Sequence, residues 1–436
     1  MSAARADVVV LGAGLTGLSA ALELDRAGAP FRLLERAGRV GGHAVTDAEE
    51  GFRFDRTGHL LHLRDPALRE EVVGWLGGEC DAIERRSRVY SHGAYTRYPF
   101  QANTFGLPPA VAYECVLGFL RAREAPPGPE PETFEGHCLR AFGEGFARHF
   151  FLPYNEKMWG VPPRELTADW CGRFVPRPSL EDVVAGAVGL NDRELGYNAS
   201  FLYPRRGIGA LAEAMARRVG RRVELGRAPR AVDWRRRRLA LEGEEVGYRR
   251  LVSTAPLDAL GRLLVDPPAE VRDAFARLAC TSLYYLDVAL DAPAGHDWHW
   301  AYVPEGRLPF YRVGVYSHFS PAMAPPGKAS LYVELAGREP PGEAAVAGAI
   351  AGLVEMGLVR RAGDVRFARV RRLEHAYVLF DRRRRGALDV ILPFLSEHGI
   401  EPAGRYGSWT YASMEDALAS GRAAARAALA GGGGGP

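Results

Sequence analysis

Gly12, Gly14 and Gly17 stand in the spacing G-x-G-x-x-G, and an acid, Glu35, closes the next apolar run. These residue types suit a dinucleotide. Gly12 permits a tight turn, Gly14 lets backbone approach a pyrophosphate, Gly17 lets a helix pack on a strand, and Glu35 can accept from ribose hydroxyls. A second candidate is Arg312, inside the alternating stretch LPFYRVGVYSHFSP at 308–321. A strand arginine either faces water or points into a site that holds an anion, and the stretch alone leaves both readings open. His59 with His62, and His296 with His299, have ligand-like spacing, yet neither pair has an evident third ligand, so no metal is assigned. No Ser-His-Asp or Cys-His grouping stands out as a nucleophilic set. The runs Arg235–Arg238 and Arg382–Arg385 are short and sit beside acids or turns, which reads as solvated surface.

The elements that must position these residues surround them. DVVVL at 7–11 is a continuous apolar run, as a strand buried on both faces requires, and LSAALELDRAG has helical spacing with Gly28 as its stop. Phe31 to Leu34 forms a second strand ending in Glu35, and LVSTAP at 251–256 is a further buried strand ending in a small-residue turn. Residues 104–200 read as helices broken by prolines, with APPGPEPE at 125–132 as a linker or lid. TSLYYLDVAL, WHWAYV, FYRVGVYSH and SLYVELA, between 281 and 336, read as strands. The expected fold is α/β: a discontinuous Rossmann-type domain at 1–90, 201–270 and 376–430, an inserted helical lobe at 91–200, an antiparallel β-sheet lobe at 271–375, and a flexible tail at 431–436.

A chain of 436 residues predicts two or three lobes, and 47% apolar with 25% charged residues is ordinary for a soluble globular enzyme. The net charge of +3 gives no case for nucleic-acid binding. Cys80, Cys115, Cys138, Cys171 and Cys280 are odd in number and never form C-x-x-C, which suits a reducing cytoplasm rather than a disulfide framework. The opening apolar run is too short for a signal peptide, and no stretch approaches the roughly 18 apolar residues of a membrane helix. A cytoplasmic protein without a membrane partner is expected.

The words that follow Glu35 narrow the dinucleotide. Glu35-Arg-x-x-Arg39-x-Gly41-Gly42, then Thr57-Gly58-His59, resembles the flavin amine-oxidase and mutase superfamily, which holds FAD. More specifically, Tyr98-Pro-Phe100-Gln101-Ala-Asn103, Tyr154-Asn-Glu-Lys-Met-Trp159, Trp300-Ala-Tyr302, Phe310-Tyr-Arg312 and Gly404-Arg405-Tyr-Gly-Ser-Trp-Thr-Tyr411 resemble the UDP-galactopyranose mutase family, closest to its eukaryotic branch, over essentially the whole chain in order.

That resemblance implies roles. Arg312 matches the arginine that grips the diphosphate, with Arg173, or Arg177 if the alignment slips, as its partner. Tyr302, Tyr377 and Tyr411 match tyrosines that face phosphate and sugar, and Phe100 with Gln101 falls where the family holds uracil. Tyr98, Asn103, Tyr154, Trp159 and Trp300 belong to the same substrate-facing motifs. Arg39, Gly41, Gly42, Arg405 and Met414 fall on the flavin side, and Gly58-His59 matches a mobile loop beside the flavin. The chain departs from the family's pattern at Ala102, at Val-Leu-Phe after Tyr377, at Ser413 and in GHLLH, which leaves base and sugar open. The implied activity is an FAD-dependent mutase that interconverts pyranose and furanose forms of a nucleotide-diphosphate sugar through an adduct at flavin N5. The flavin is active when reduced, with NAD(P)H as one available reductant. Two rivals stand beside it: an FAD oxidase or dehydrogenase of a small molecule, and a flavin-binding interaction module without activity.

Overall fold

The computed structural model describes residues 4–126, 128–191 and 199–430, so the tail expected at 431–436 lies outside the described residues. The strand Ala4–Leu11 is central to a seven-stranded sheet, with Phe31–Glu35 parallel on one side and Glu244–Ser253 parallel on the other. Val8, Val9 and Val10 are fully buried, which is why this segment reads as an unbroken apolar run. Val223–Leu225 and Ile400–Pro402 extend the parallel part, so the nucleotide-type sheet is assembled from distant segments of the chain. Leu15–Arg26 packs against the closing helix Met414–Ala430; a Cβ on Gly421 would stand 2.1 Å from the Thr16 carbonyl oxygen, so only glycine permits that approach.

The second sheet runs in the order Val365–Val378, Cys280–Leu290, Ala329–Leu335, Phe310–Val315, Trp300–Tyr302, Ser87–Ser91, Ala94–Arg97. The hairpin at 87–97 straddles the boundary expected between the first two domain segments, and it belongs to this sheet. Ser87–Ser91 joins Trp300–Tyr302 in the one parallel pairing, and the other pairings are antiparallel. The stretch FYRVGVYSH leaves the ladder at Val315, where Tyr316 turns helical and its hydroxyl donates to the Asp55 carbonyl at 2.6 Å.

The helical lobe is built on Pro109–Glu124, Phe134–Phe146 and Leu152–Trp159. The first two cross closely at glycines: Gly143 has φ +80°, and a Cβ there would lie 2.1 Å from the Gly118 carbonyl oxygen. A π-turn at Ala147–Phe151 reorients the chain just before Leu152–Trp159, a device common beside functional sites. Among the described residues no helix is long and apolar enough to cross a membrane, and no group of three His, Cys, Asp or Glu side chains could hold a metal ion. All five cysteines are free thiols.

Candidate active site

The three lobes enclose a cleft of about 1000 Å³. Its walls include Gly12, Gly14, Glu35, Gly41 and Gly42 in one part and Tyr302, Arg312, Tyr377 and Tyr411 in another.

The glycine part fits a dinucleotide. Gly12 turns the chain at φ +94° and its N–H donates to the Leu34 carbonyl at 2.8 Å. The helix that follows begins at Leu15 with no side chain capping its first N–H groups, which leaves donors and a positive dipole end for a pyrophosphate. Gly14 has room beside it: a Cβ would come no closer than 3.9 Å to Gly41 and Gly42. Glu35 accepts from the N–H groups of Ala13 at 2.7 Å and Ala37 at 2.8 Å, so its carboxylate is fixed where a ribose hydroxyl can reach it.

Between the two parts, Gly58, His59, His43, Arg405 and Met414 line the cleft. The Nδ1 atoms of His43 and His59 and the Nε of Arg405 are buried without a hydrogen-bonding partner among the described residues, as expected where a polar group is to be bound. Arg405 is oriented by the carbonyls of Ala412 at 3.2 Å and Ala376 at 3.3 Å, and its guanidinium lies over the rings of Tyr377, Tyr406 and Tyr411.

Arg312 points inward and lines the cleft rather than facing water. Its Nε and Nη2 meet both oxygens of Glu334 at 2.9 and 2.5 Å, and Glu334 is fully buried. The two residues are cross-strand neighbours in the antiparallel ladder, so the pairing follows from register. One edge of the guanidinium is therefore committed to Glu334, and Nη1 with the outer Nη2 hydrogen remains for an anion. Tyr302 is the other cross-strand neighbour of Arg312, and it packs against Tyr98 and Tyr154 with centroids 4.8 and 5.5 Å apart. Tyr98, Gln101, Tyr154, Trp300 and Tyr332 complete this wall.

Six residues expected in the site are not part of the cleft lining. Arg173 does not line the cleft; it pairs with Asp416, which also closes a capping box with Ser413 at the start of Met414–Ala430. Its alternative, Arg177, meets His137 at 3.3 Å in a separate crevice. Phe100 is fully buried and stacks on Phe150 at 5.0 Å, which makes it core. Asn103 is buried and its amide donates to the Pro99 carbonyl at 3.0 Å, which fixes the turn that presents Gln101. Trp159 is fully buried, its indole N–H donates to Asn155 at 3.2 Å, and its ring backs Tyr377 and Tyr411. Arg39 is exposed and pairs with Asp47 at 2.7 Å; Arg36, directly after Glu35, lines the cleft in its place. Gly17, off the cleft surface, acts behind it by letting helix meet turn.

Sequence reasoning passed over Glu334, His43 and Tyr332. The available signals were an acid inside the apolar strand SLYVELA and a histidine directly after the double glycine.

Burial holds the His43 imidazole at about 3, well below its ordinary 6.5, with the charges of His59 and Arg56 adding to the effect. Burial and the Arg405 charge hold His59 at about 4. Both rings are thus neutral in the fold at a pH where the unfolded chain protonates them. Their contribution to stability is complete above about 6.5 and is lost as pH falls through about 4 for His59 and about 3 for His43. A melting series is expected to show a plateau above that point and a decline below it, and His43→Asn should flatten the decline. An unchanged slope in His43→Asn would show that the imidazole is not held neutral.

The model of the family described as flavin containing amine oxidoreductase matches residues 15–429. Two curated relatives are mutases. The probable UDP-galactopyranose mutase of Klebsiella pneumoniae is 24% identical over 184 residues, 40% of this chain and 47% of that protein. The dTDP-fucopyranose mutase of Escherichia coli is 24% identical over 187 residues, with the same two coverages of 40% and 47%. The chain spans about half the length of these curated relatives. A solved structure of reduced UDP-galactopyranose mutase is 27% identical, with a TM-score of 0.92 over 98% of this chain and 96% of that one. The expected α/β architecture, a Rossmann-type domain with inserted helical and sheet lobes, is borne out.

Proposed function

This chain belongs to the flavin containing amine oxidoreductase family, and from that footing we propose that it is an FAD-dependent mutase interconverting pyranose and furanose forms of a nucleotide-diphosphate sugar of the UDP-galactose type. The observation that carries this reading is one continuous cleft whose walls include both the glycine turn and an arginine set among tyrosines. Tyrosine rings would serve an amine as well, but a guanidinium among them suits a diphosphate rather than an ammonium substrate.

When bound, a reduced flavin would supply an electron-rich nitrogen to the cleft, with no net redox change over the reaction. The chain's own residues hold the other partner. Arg312 presents its free guanidinium edge to the diphosphate, and its charge rises in value as the leaving group departs. Tyr302, Tyr377 and Tyr411 place phenol hydroxyls in the same wall, where they can donate to phosphate oxygens while their rings pack against the sugar. Gln101 donates to the Pro176 carbonyl at 2.6 Å, and its Oε1 remains buried without a donor, placed to accept from an N–H of a pyrimidine base. No side-chain nucleophile is needed.

The test is anaerobic incubation of the reduced holoprotein with UDP- and dTDP-linked pyranoses. Ring-contracted product is expected, with reductant needed to start but not consumed in proportion to product. Steady oxygen uptake, or NAD(P)H loss equal to product, would assign the chain to the oxidase or dehydrogenase reading.

A further inference from the structure

The long strand Val365–Val378 does not pair evenly with Cys280–Leu290. Thr281 lies opposite Tyr377 and Leu283 opposite Leu373, so Glu374, His375 and Ala376 face the single residue Ser282. All three bulged residues line the cleft. A bulge leaves its peptide groups outside the ladder and needs other partners to hold one conformation. Here the Ala376 carbonyl, freed from the sheet, accepts from Arg405 Nη2 at 3.3 Å and from the Tyr406 hydroxyl at 3.1 Å. The next residue is Tyr377, whose ring lies under the Arg405 guanidinium.

His375 ties this bulge to the opposite side of the cleft. Its Nε2 donates to Asp258 Oδ1 at 3.0 Å, and both side chains are mostly buried. Asp258 opens the helix Leu257–Leu263, directly after the turn Thr254–Pro256 that forms part of the cleft's nucleotide-binding wall. Its other oxygen receives Arg262 at 3.0 Å, so the carboxylate is held from both sides. Burial raises the Asp258 carboxyl, but its hydrogen bonds and ion pairing with His375 and Arg262 together hold the group below the usual aspartate range.

We propose that Asp258 and His375 are a positioning pair: the nucleotide-binding half holds the bulge through this hydrogen bond, and the bulge in turn fixes Arg405 and Tyr377 against the bound nucleotide sugar. Asp258 is not part of the cleft lining, and the role proposed for the pair acts through Arg405 and Tyr377. The consequence for substrate rests on the mutase reading above; the consequence for the bulge does not.

Two measurements keep these apart. The first is equilibrium binding of UDP, with dTDP in parallel, to FAD-replete protein. His375→Ala is expected to weaken binding about tenfold while FAD content and the urea midpoint stay at wild-type values. His375→Gln, whose amide can still donate to Asp258, is expected to restore binding to within about twofold. The second is amide hydrogen exchange at residues 373–378, expected to accelerate at least tenfold in His375→Ala and not in His375→Gln, with or without nucleotide. If His375→Ala does not accumulate as folded holoprotein, Asp258→Ala carries both measurements. Unchanged exchange in the alanine variants overturns the proposal. So does an equal loss in His375→Gln, which would mean that the imidazole acts in its own right. Failure of the wild-type protein to bind either nucleotide would instead remove the mutase reading, and the exchange result would still decide the bulge.

Discussion

Replacing Arg312 by alanine is expected to abolish nucleotide-sugar binding and to destabilise the fold in the same stroke. Glu334 is fully buried and takes one whole edge of the guanidinium. Without Arg312 that carboxylate is an uncompensated buried charge, a loss of about 3–5 kcal/mol, and it faces an incoming diphosphate with the wrong sign. The two effects separate in a double variant. Arg312→Met with Glu334→Gln should recover most of the urea midpoint, because a matched neutral pair replaces a broken ionic one, yet should still bind no UDP. Arg312→Lys should rescue little, since an ammonium cannot satisfy both Glu334 oxygens and still offer a planar edge to phosphate. Calorimetric titration with UDP and urea melts on the four proteins read both quantities. Wild-type UDP affinity in the double variant would reduce Arg312 to a structural partner of Glu334.

Gly14→Val and Gly17→Ala are expected to fail in different ways. A Cβ on Gly17 would stand 1.8 Å from the Gly12 carbonyl oxygen, and both are backbone at the tightest point of the strand–turn–helix unit. Nothing there can yield, so Gly17→Ala should give little soluble protein. A Cβ on Gly14 meets only ordinary contacts, 3.9 Å from Gly41 and Gly42, so the valine variant should fold. Its branched side chain would fill the room left for the pyrophosphate, and the product should be soluble and colourless. Yellow Gly14→Val with a full complement of FAD would show that the cofactor lies elsewhere.

What was legible in the sequence was local. The glycine spacing, the helix after it and Glu35 lie within one short stretch, and each is dictated by chain geometry. The strand carrying Arg312 was legible by alternation, but its meaning lay in Glu334, one strand away in space and 22 residues on in sequence. Alternation gives a strand's two faces; it does not give its neighbour or its register. Arg173 illustrates the same limit at longer range. Its type suited an anion, but its partner Asp416 lies 243 positions later. Phe100 and Trp159 show a different one. Aromatic side chains in a motif read equally as contact or as packing, and only burial separates them: Phe100 stacks on Phe150, and Trp159 supports the tyrosines from behind. Arg39 followed the double-glycine word in sequence while its side chain turned outward to Asp47.

The way the first and last helices meet has a consequence for biosynthesis. The glycine turn is made long before the helix that braces it, Met414–Ala430. Ser19 donates to the Leu418 carbonyl at 2.7 Å across 399 positions, and the strand Ile400–Pro402 completes the sheet only shortly before. A nascent chain therefore carries an unfinished groove until Met414–Ala430 has been made, with Leu15–Arg26 lacking its partner surface. A chain stalled before Met414–Ala430 has been made is expected to stay colourless when FAD is supplied.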